Sequence, residues 1–155
     1  MITNQLTDYR DWIDQLKSKI KSARIEVALS VNSQLIELYW DLGKELSEKS
    51  KSSNWGSGII EKISVDLKHE FPDMKGFSRR NLYAIKQWFE FYSEKFEFVP
   101  QAAAQIPWGH NRLIINKVKT ISEALFYALE TVNQGWSRDV LNDQLDSRLI
   151  DRKAA

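Results

Sequence analysis

The 155-residue chain contains no cysteine, so it can form neither a disulfide framework nor a thiolate metal site. It has only two histidines, His69 and His110, and the sequence gives neither of them an ordered carboxylate partner for catalysis. No apolar run approaches the roughly 20 residues that span a bilayer. The first residues, MITNQLTDYRDW, lack the apolar core of a secretory signal. These absences predict a cytoplasmic protein without a membrane segment, a metal site, a cofactor or a catalytic residue.

The chain also has no large excess of positive or negative charge, because 22 basic and 21 acidic residues leave a net charge of +1. The distribution is nevertheless uneven. Residues 74–120 carry eight Lys or Arg and three Glu, a net +5, so the rest of the chain is net −4. This asymmetry gives modest support for a basic face. The apolar fraction of 43%, with 18 aromatic residues, is sufficient for the core of one domain.

The first third of the chain predicts one very long helix from Tyr9 to Ser47. Its apolar residues recur in steps of three and four, at Ile13, Leu16, Ile20, Ala23, Val27, Val31, Leu35, Leu38, Leu42 and Leu46. At 1.5 Å per residue this helix would be roughly 60 Å long, whereas a compact domain of this length is about 30 Å across. Two interpretations remain: a helix that projects and pairs with a second copy, or two helices joined near residues 30–33.

The stretch WGSGIIEKISVDLKHEFPDMKGFSRRNLYAIKQW, residues 55–88, predicts a helix–turn–helix. Residues 59–67 have one apolar face, and Phe71-Pro72 ends that helix, because a residue before proline is disfavoured in the helical region. Ser78 is placed to cap the second helix. The turn and the start of the second helix are rich in basic residues, and the sequence has no acid between Asp73 and Glu90. A basic start of the second helix is typical of proteins that read the DNA major groove.

The remaining segments predict shorter helices joined by turns. Residues 47–54 predict a surface loop, and residues 90–105 an irregular segment with a flexible connection or one helical turn before Pro107. Three further signals mark helix ends: Thr120 and Ser137 as N-caps and Gly135 as a C-terminal stop. The last helix, with Val140, Leu141, Leu145 and Leu149 inward, would complete a second helix–turn–helix-like unit that begins at Arg138. The predicted fold is all-α, with a long N-terminal helix (1–50) as a possible dimerisation arm and a body (51–155) of about five shorter helices.

Ten residues are candidates for contacting nucleic acid: Lys75, Ser78, Arg79, Arg80, Asn81, Lys86, His110, Asn111, Arg112 and Arg138. Arginine can bind guanine and asparagine can bind adenine in a bidentate manner. The alternative is that Arg79 and Arg80 are solvated surface charges and that Asn81 assists the cap. Trp108 and His110 have a structural alternative as well, as a core plug and a helix cap. Trp55, Trp88 and Trp136 are predicted to anchor the core.

Three blocks of the sequence carry a family resemblance: residues 55–88, IPWGHNRLI (106–114) and GWSRDVLNDQL (135–145). In this order they resemble the N-terminal domain of the YhcG family, over most of residues 10–150. The resemblance implies a bacterial helical domain that binds DNA and precedes a nuclease domain of the PD-(D/E)xK type. That nuclease needs acids and a lysine on adjacent strands, and here Asp73-Met74-Lys75 lies in one turn, so the nuclease of the family would lie beyond Ala155.

Together these observations predict a non-catalytic module that targets double-stranded DNA, acts as a homodimer through its N-terminal helix and accompanies a nuclease domain. The alternative hypothesis is a helical module for oligomerisation or protein docking, in which the unbroken apolar face of the first helix is the working surface. A stand-alone enzyme is the least favoured interpretation.

Overall fold

The computed structural model describes residues 2–29, 32–52 and 58–154. Within these ranges the chain folds into helices and has no strand, which confirms the all-α prediction. The helices in chain order are α1 (Ile2–Leu29), α2 (Asn32–Ser52), α3 (Ile59–Glu70), α4 (Arg79–Ser93), α5 (Gln101–Ala104), α6 (Trp108–Lys117), α7 (Ile121–Gln134), α8 (Arg138–Asp146) and α9 (Leu149–Ala154).

The segment predicted as one long helix forms two helices that pack against each other. Trp12 donates its indole N–H to the carboxylate of Glu45, and Lys19 Nζ lies 3.7 Å from Asp41 Oδ2. Since residues later in α1 pair with residues earlier in α2, the two helices are antiparallel. The prediction of a single projecting helix is therefore wrong, and the two-helix interpretation is right. The predicted joint lies partly at residues 30 and 31, which are outside the described residues.

The apolar face of this hairpin is covered within the chain. Ile20 and Ile36 are fully buried, and Leu42 and Leu46 are each 1% exposed. A second copy is thus not needed to cover the described part of this face. The physical reason for the error is that a helix folding back on its neighbour and a helix pairing with another chain require the same apolar period.

The centre of the core is the contact between α2 and α4, the most extensive between helices of the described chain. Gly43 makes it possible, because a Cβ atom there would lie 2.6 Å from Phe89 Cβ and 2.9 Å from the Ile85 carbonyl oxygen. The indole of Trp40 packs edge-on against that of Trp88, with 5.5 Å between ring centroids. Trp88 is fully buried and is the core anchor that the sequence predicted.

An eight-residue connection, 71–78, joins α3 to α4. Phe71 and Phe77 are buried, with ring centroids 6.2 Å apart, and they hold the connection against the core. Ser64 Oγ donates a hydrogen bond of 2.6 Å to the Phe77 carbonyl oxygen. The helix–turn–helix of DNA-binding proteins has a turn of only about three or four residues. The connection between α3 and α4 is about twice as long, and the helix–turn–helix stays a prediction.

The other connections are short and mostly follow the sequence signals. Thr120 and Ser137 cap α7 and α8 by accepting hydrogen bonds from the Glu123 and Val140 backbone N–H groups. Gly135 ends α7 in the left-handed conformation. The segment before Pro107 contains the single helical turn α5.

Three details of the prediction need correction. Helix α2 continues to Ser52, so most of the predicted 47–54 loop is helical. The last predicted helix is divided into α8 and α9 by a turn at residues 147–148, where Arg148 has a φ of 55°. Val140, which was predicted to face inward, is 40% exposed.

Candidate nucleic-acid interface

Asn81, on the first turn of α4, is buried and serves as a structural junction. Its side-chain nitrogen donates to the Gly76 carbonyl oxygen at 2.7 Å. Its side-chain oxygen accepts from the Trp108 indole N–H at 2.8 Å and from the Arg112 guanidinium at 3.2 Å. Since both ends of the amide are occupied and the residue is 6% exposed, the prediction that Asn81 reads a base is wrong.

The turn before α4 allows a buried tyrosine to approach the backbone. Gly76 has a φ of 113°, which side-chain-bearing residues rarely adopt. A Cβ atom at this position would overlap the Tyr39 hydroxyl. Ser78 is the N-cap of α4 as predicted, because its Oγ accepts a 3.1 Å hydrogen bond from the Asn81 backbone N–H.

Arg79 and Arg80 are both exposed but differ in their partners. The Arg79 guanidinium lies 2.5 Å from Glu61 Oε1 on α3 and packs over the ring of Tyr83. Hydrogen bonding to Arg79 is the main reason that the pKa of Glu61 lies below its ordinary value. Arg80 has no carboxylate partner among the residues that the structure describes. Of the two arginines, Arg80 is the one free to contact a polyanion.

Lys86 is placed differently from the prediction. It is half-buried and its Nζ lies 3.9 Å from Glu90 Oε1, one helical turn further on. Glu90 also accepts from Ser47 Oγ at 2.8 Å, so Lys86 belongs to a contact between α4 and α2. Besides Arg79, the exposed residues of α4 are Arg80, Tyr83 and Gln87. The spacing of three and four residues could have indicated Tyr83 and Gln87, but the sequence interpretation passed over them.

His110 and Asn111 hold the start of α6 in place. His110 Nε2 lies 2.9 Å from the Trp136 carbonyl oxygen, and because a carbonyl only accepts, this nitrogen carries the proton. The Asn111 side-chain nitrogen donates to the carbonyl oxygens of Ala103 and Ile106 at 2.9 and 3.2 Å. Asn111 is 1% exposed. Asn111 is therefore not available to bind phosphate. His110 does not cap α6, because no side chain bonds the N-terminal end of that helix, and its contact is with the Trp136 carbonyl oxygen instead.

The N-terminal ends of α4, α6 and α8 converge at this place. Asn81 on the first turn of α4 bonds Trp108, the first residue of α6. A Cβ atom on Gly109 of α6 would lie 3.8 Å from Arg138 Cδ, at the first residue of α8. Helix N-termini carry a partial positive charge from their free N–H groups. Two separate candidate sites of the sequence, at residues 75–81 and 108–112, thus form one continuous region.

A pocket opens where these ends meet. Its volume is about 340 Å³, and its lining residues are Tyr39, Lys75, Gly76, Ser78, Asn81, Trp108 and Arg112. We call it the Gly76 pocket. It contains two cations and no acid, and neither cation has a carboxylate partner within the described chain. Tyr39 was not among the sequence candidates, because nothing local distinguishes a functional tyrosine in an apolar helix face.

The tryptophans near the pocket belong to the core. The Trp108 ring packs edge-on against Tyr39 and Trp88, at centroid distances of 5.0 and 5.3 Å. Trp136 is half-buried against the same core. The prediction for Trp55 lies outside the described residues.

Two further properties bear on the class of protein. Among the described residues, no group of three or more His, Cys, Asp or Glu side chains is close enough to hold a metal ion. No helix within the described ranges combines the length and apolarity needed to cross a membrane.

The fold and this region define a small all-helical domain with a basic pocket at converging helix ends. The chain belongs to the family described as the DUF1016 N-terminal domain, whose model matches residues 15–152. It is similar to "Putative nuclease YhcG" of Escherichia coli (strain K12), with 24% identity over 177 residues. That match covers 93% of this chain and 46% of the relative, so the chain spans about half the length of YhcG. No solved structure matches the chain.

Proposed function

We propose that this domain binds DNA and positions a nuclease on it, without being catalytic itself. The observation that carries the proposal is the convergence of the N-termini of α4, α6 and α8 around Asn81 and Gly109. Backbone N–H groups and helix dipoles at such ends favour phosphate. The likeness to a protein named a nuclease supports a nucleic-acid partner, and the partial match supports a second domain in the full-length relative.

The proposed contact surface is smaller than the one predicted from sequence. Arg80, on the outer face of α4, would contact double-stranded DNA together with Lys75 and the two arginines at the starts of α6 and α8, Arg112 and Arg138. These side chains have no carboxylate partner among the residues that the structure describes. Phosphate contacts by arginine and lysine provide most non-specific affinity for DNA.

Helix α8 is a poor candidate for entering a DNA groove, although its turn has the three-residue length typical of a helix–turn–helix. Beyond Arg138 its exposed residues include Asp139, Asp143 and Asp146. These acids would repel phosphates. We therefore propose that α4 faces the DNA bases and that α8 contacts only the DNA phosphate backbone, through Arg138 at its N-terminal end.

The homodimer and the protein-docking alternative were predicted from the apolar face of residues 13–46. The described part of that face is covered by the α1–α2 hairpin and the body. Both ideas consequently lose the observation that motivated them, and they remain predictions without support from the packing.

A salt-dependent DNA-binding assay tests the proposal. We expect fluorescence anisotropy with a labelled duplex to give an affinity that falls steeply with salt. Replacing Arg80 by alanine should weaken binding and reduce the slope of log K against log salt by about one, as expected for one lost phosphate contact.

Lys95→Gln is a matched control for charge, because Lys95 is an exposed cation in the loop after α4 and outside the proposed surface. It should leave affinity and slope close to those of the wild type. Binding that is absent at low salt, or equally affected by both substitutions, would contradict the proposed function.

A further inference from the structure

We propose that the Gly76 pocket binds one phosphate group of a nucleic-acid strand, an inference that rests on the proposed function. The pocket lies between the first turns of α4 and α6 and next to the exposed face of α4 that carries Arg80. A strand crossing that face would pass the mouth of the pocket. The assignment follows from the hydrogen-bonding atoms that the pocket leaves free.

The charged groups in the lining are both cationic. Lys75 is exposed on the turn, and Arg112 is half-buried on α6. Arg112 uses one of its five N–H groups on the Asn81 side-chain oxygen. That contact fixes the guanidinium while leaving other N–H groups available. Lys75 and Arg112 thus provide an exposed positive charge and a hydrogen-bonded one in the same pocket.

Tyr39 supplies an unused donor. Its side chain is 3% exposed and lines the pocket. Its hydroxyl oxygen accepts from the Asn81 side chain, and among the described residues its O–H is not seen to donate. Burial raises the pKa of the Tyr39 hydroxyl, and the side chain of Asn81 offsets part of that rise. The hydroxyl therefore keeps its proton near neutral pH, and its O–H is available to an acceptor that enters the pocket.

Two acceptors in the lining, the Gly76 carbonyl and the Asn81 side-chain oxygen, are already engaged. The Gly76 carbonyl oxygen accepts from Asn81, and the Asn81 side-chain oxygen accepts from Trp108 and Arg112. Ser78 Oγ accepts from the Asn81 backbone and retains its own O–H for donation. The lining thus offers two cations and the O–H groups of Tyr39 and Ser78 as donors. A ligand that is anionic and offers only acceptors is complementary to this set, and a phosphate group meets both requirements.

The indole N–H of Trp108 gives a direct probe, because it bonds to Asn81 at the wall of the pocket. In ¹⁵N-labelled protein its resonance can be assigned by comparison with Trp108→Phe. We expect inorganic phosphate, and short duplexes, to shift this resonance. Duplexes ending in 5′-hydroxyl and in 5′-phosphate distinguish the source of the phosphate: equal binding indicates a backbone phosphodiester, and preference for the 5′-phosphate indicates a strand end.

Two substitutions separate charge from hydrogen bonding. Arg112→Gln keeps an N–H donor for Asn81 but removes the charge, and we expect about tenfold weaker DNA binding with a salt slope reduced by about one. Tyr39→Phe preserves the ring and removes only the hydroxyl, so binding should weaken several-fold with an unchanged slope. Circular dichroism checks that each variant stays folded, and Lys95→Gln serves as the control.

Wild-type affinity in Tyr39→Phe and Arg112→Gln, together with weakened binding in Arg80→Ala, would overturn the pocket and leave the proposed function intact. A shift of Trp108 by inorganic phosphate in a protein that binds no DNA would overturn the assignment to nucleic acid. If phosphate and duplexes leave the Trp108 resonance unmoved, the inference is also wrong.

Discussion

Asn81 connects three parts of the chain through one side chain: the turn at Gly76, α4 and the start of α6. Its partners Trp108 and Arg112 lie 27 and 31 residues away in sequence. Local sequence rules could predict the Ser78 cap, whose partner is three residues away. They could not distinguish an asparagine that contacts DNA from one that joins helices. Both lie on the first turn of a helix, and they differ only in which distant residues of the chain pack against the side chain.

Replacing Asn81 by alanine tests its structural role. We expect the free energy of unfolding to fall by about 1–3 kcal/mol, because the half-buried Gly76 carbonyl and Trp108 indole would lose their partner. Ser78→Ala removes only the cap and should cost about 1 kcal/mol. Urea denaturation followed by circular dichroism measures both. A variant at position 81 with wild-type stability and no DNA binding would instead restore the base-reading prediction.

Gly76 is constrained both by its backbone angle and by the Tyr39 hydroxyl. We expect Gly76→Ala to destabilise the protein by about 1–3 kcal/mol through backbone strain alone, and by more because of the overlap with the hydroxyl. In the Tyr39→Phe background part of the loss should be recovered. A double-mutant cycle from urea unfolding measures that difference. Equal losses in the two backgrounds would show that the overlap relaxes without cost.

At the scale of helices, the pairing of Arg79 with Glu61 links the start of α4 to α3. The acid-free stretch 74–89 correctly predicted a concentration of positive charge, but it did not predict that an acid 18 residues earlier would neutralise part of it. The same limit applies to α1 and α2. Their apolar period was predicted, whereas the reversal between them leaves no proline or glycine that would mark it in the sequence.

Releasing Arg79 from α3 should change DNA binding in a predictable direction. Glu61→Gln removes the competing carboxylate, so we expect tighter binding and a steeper dependence on salt, by up to about one phosphate contact. Anisotropy titrations at several salt concentrations measure both quantities. Glu94→Gln is the matched control, because Glu94 is an exposed glutamate at the end of α4 without an ion pair in the described chain. Weaker binding in Glu61→Gln would mean that the ion pair orients Arg79 productively.

At the scale of the whole molecule, carboxylates paired with cations connect the helices around the core. Glu61 bonds Arg79, and Glu70 lies 3.0 Å from Lys21 of α1. Asp151 of α9 pairs with Arg148 at 3.0 Å, and Arg148 in turn lies 2.9 Å from Glu123 of α7. For Glu61, Glu70 and Asp151, a hydrogen bond from the basic partner is the main cause of a carboxyl pKa below its ordinary value. The net charge is near zero, yet the Gly76 pocket is basic. Many acids are paired with cations elsewhere, and none of them lines the pocket.

These pairs predict how stability depends on pH. The ordinary pKa values are 4.5 for the two glutamates and 3.8 for Asp151, and all three are lowered in the folded protein. The unfolded chain therefore binds protons first as pH falls. Stability from these groups is fully present above about pH 5 and is lost as pH falls through the lowered folded-state values.

We expect the urea midpoint to be constant from pH 7 to about 5 and then to decline steadily toward pH 3. Glu70→Gln should make that decline shallower, since its ion pair with Lys21 no longer titrates, whereas Glu94→Gln should leave the profile unchanged. Circular dichroism at each pH measures the midpoints. A wild-type midpoint that stays constant to pH 3 would show that these ion pairs contribute nothing to folding. The links from α3 to α1 and α4 would then depend on apolar packing and on hydrogen bonds such as that from the Tyr9 hydroxyl to Asp66.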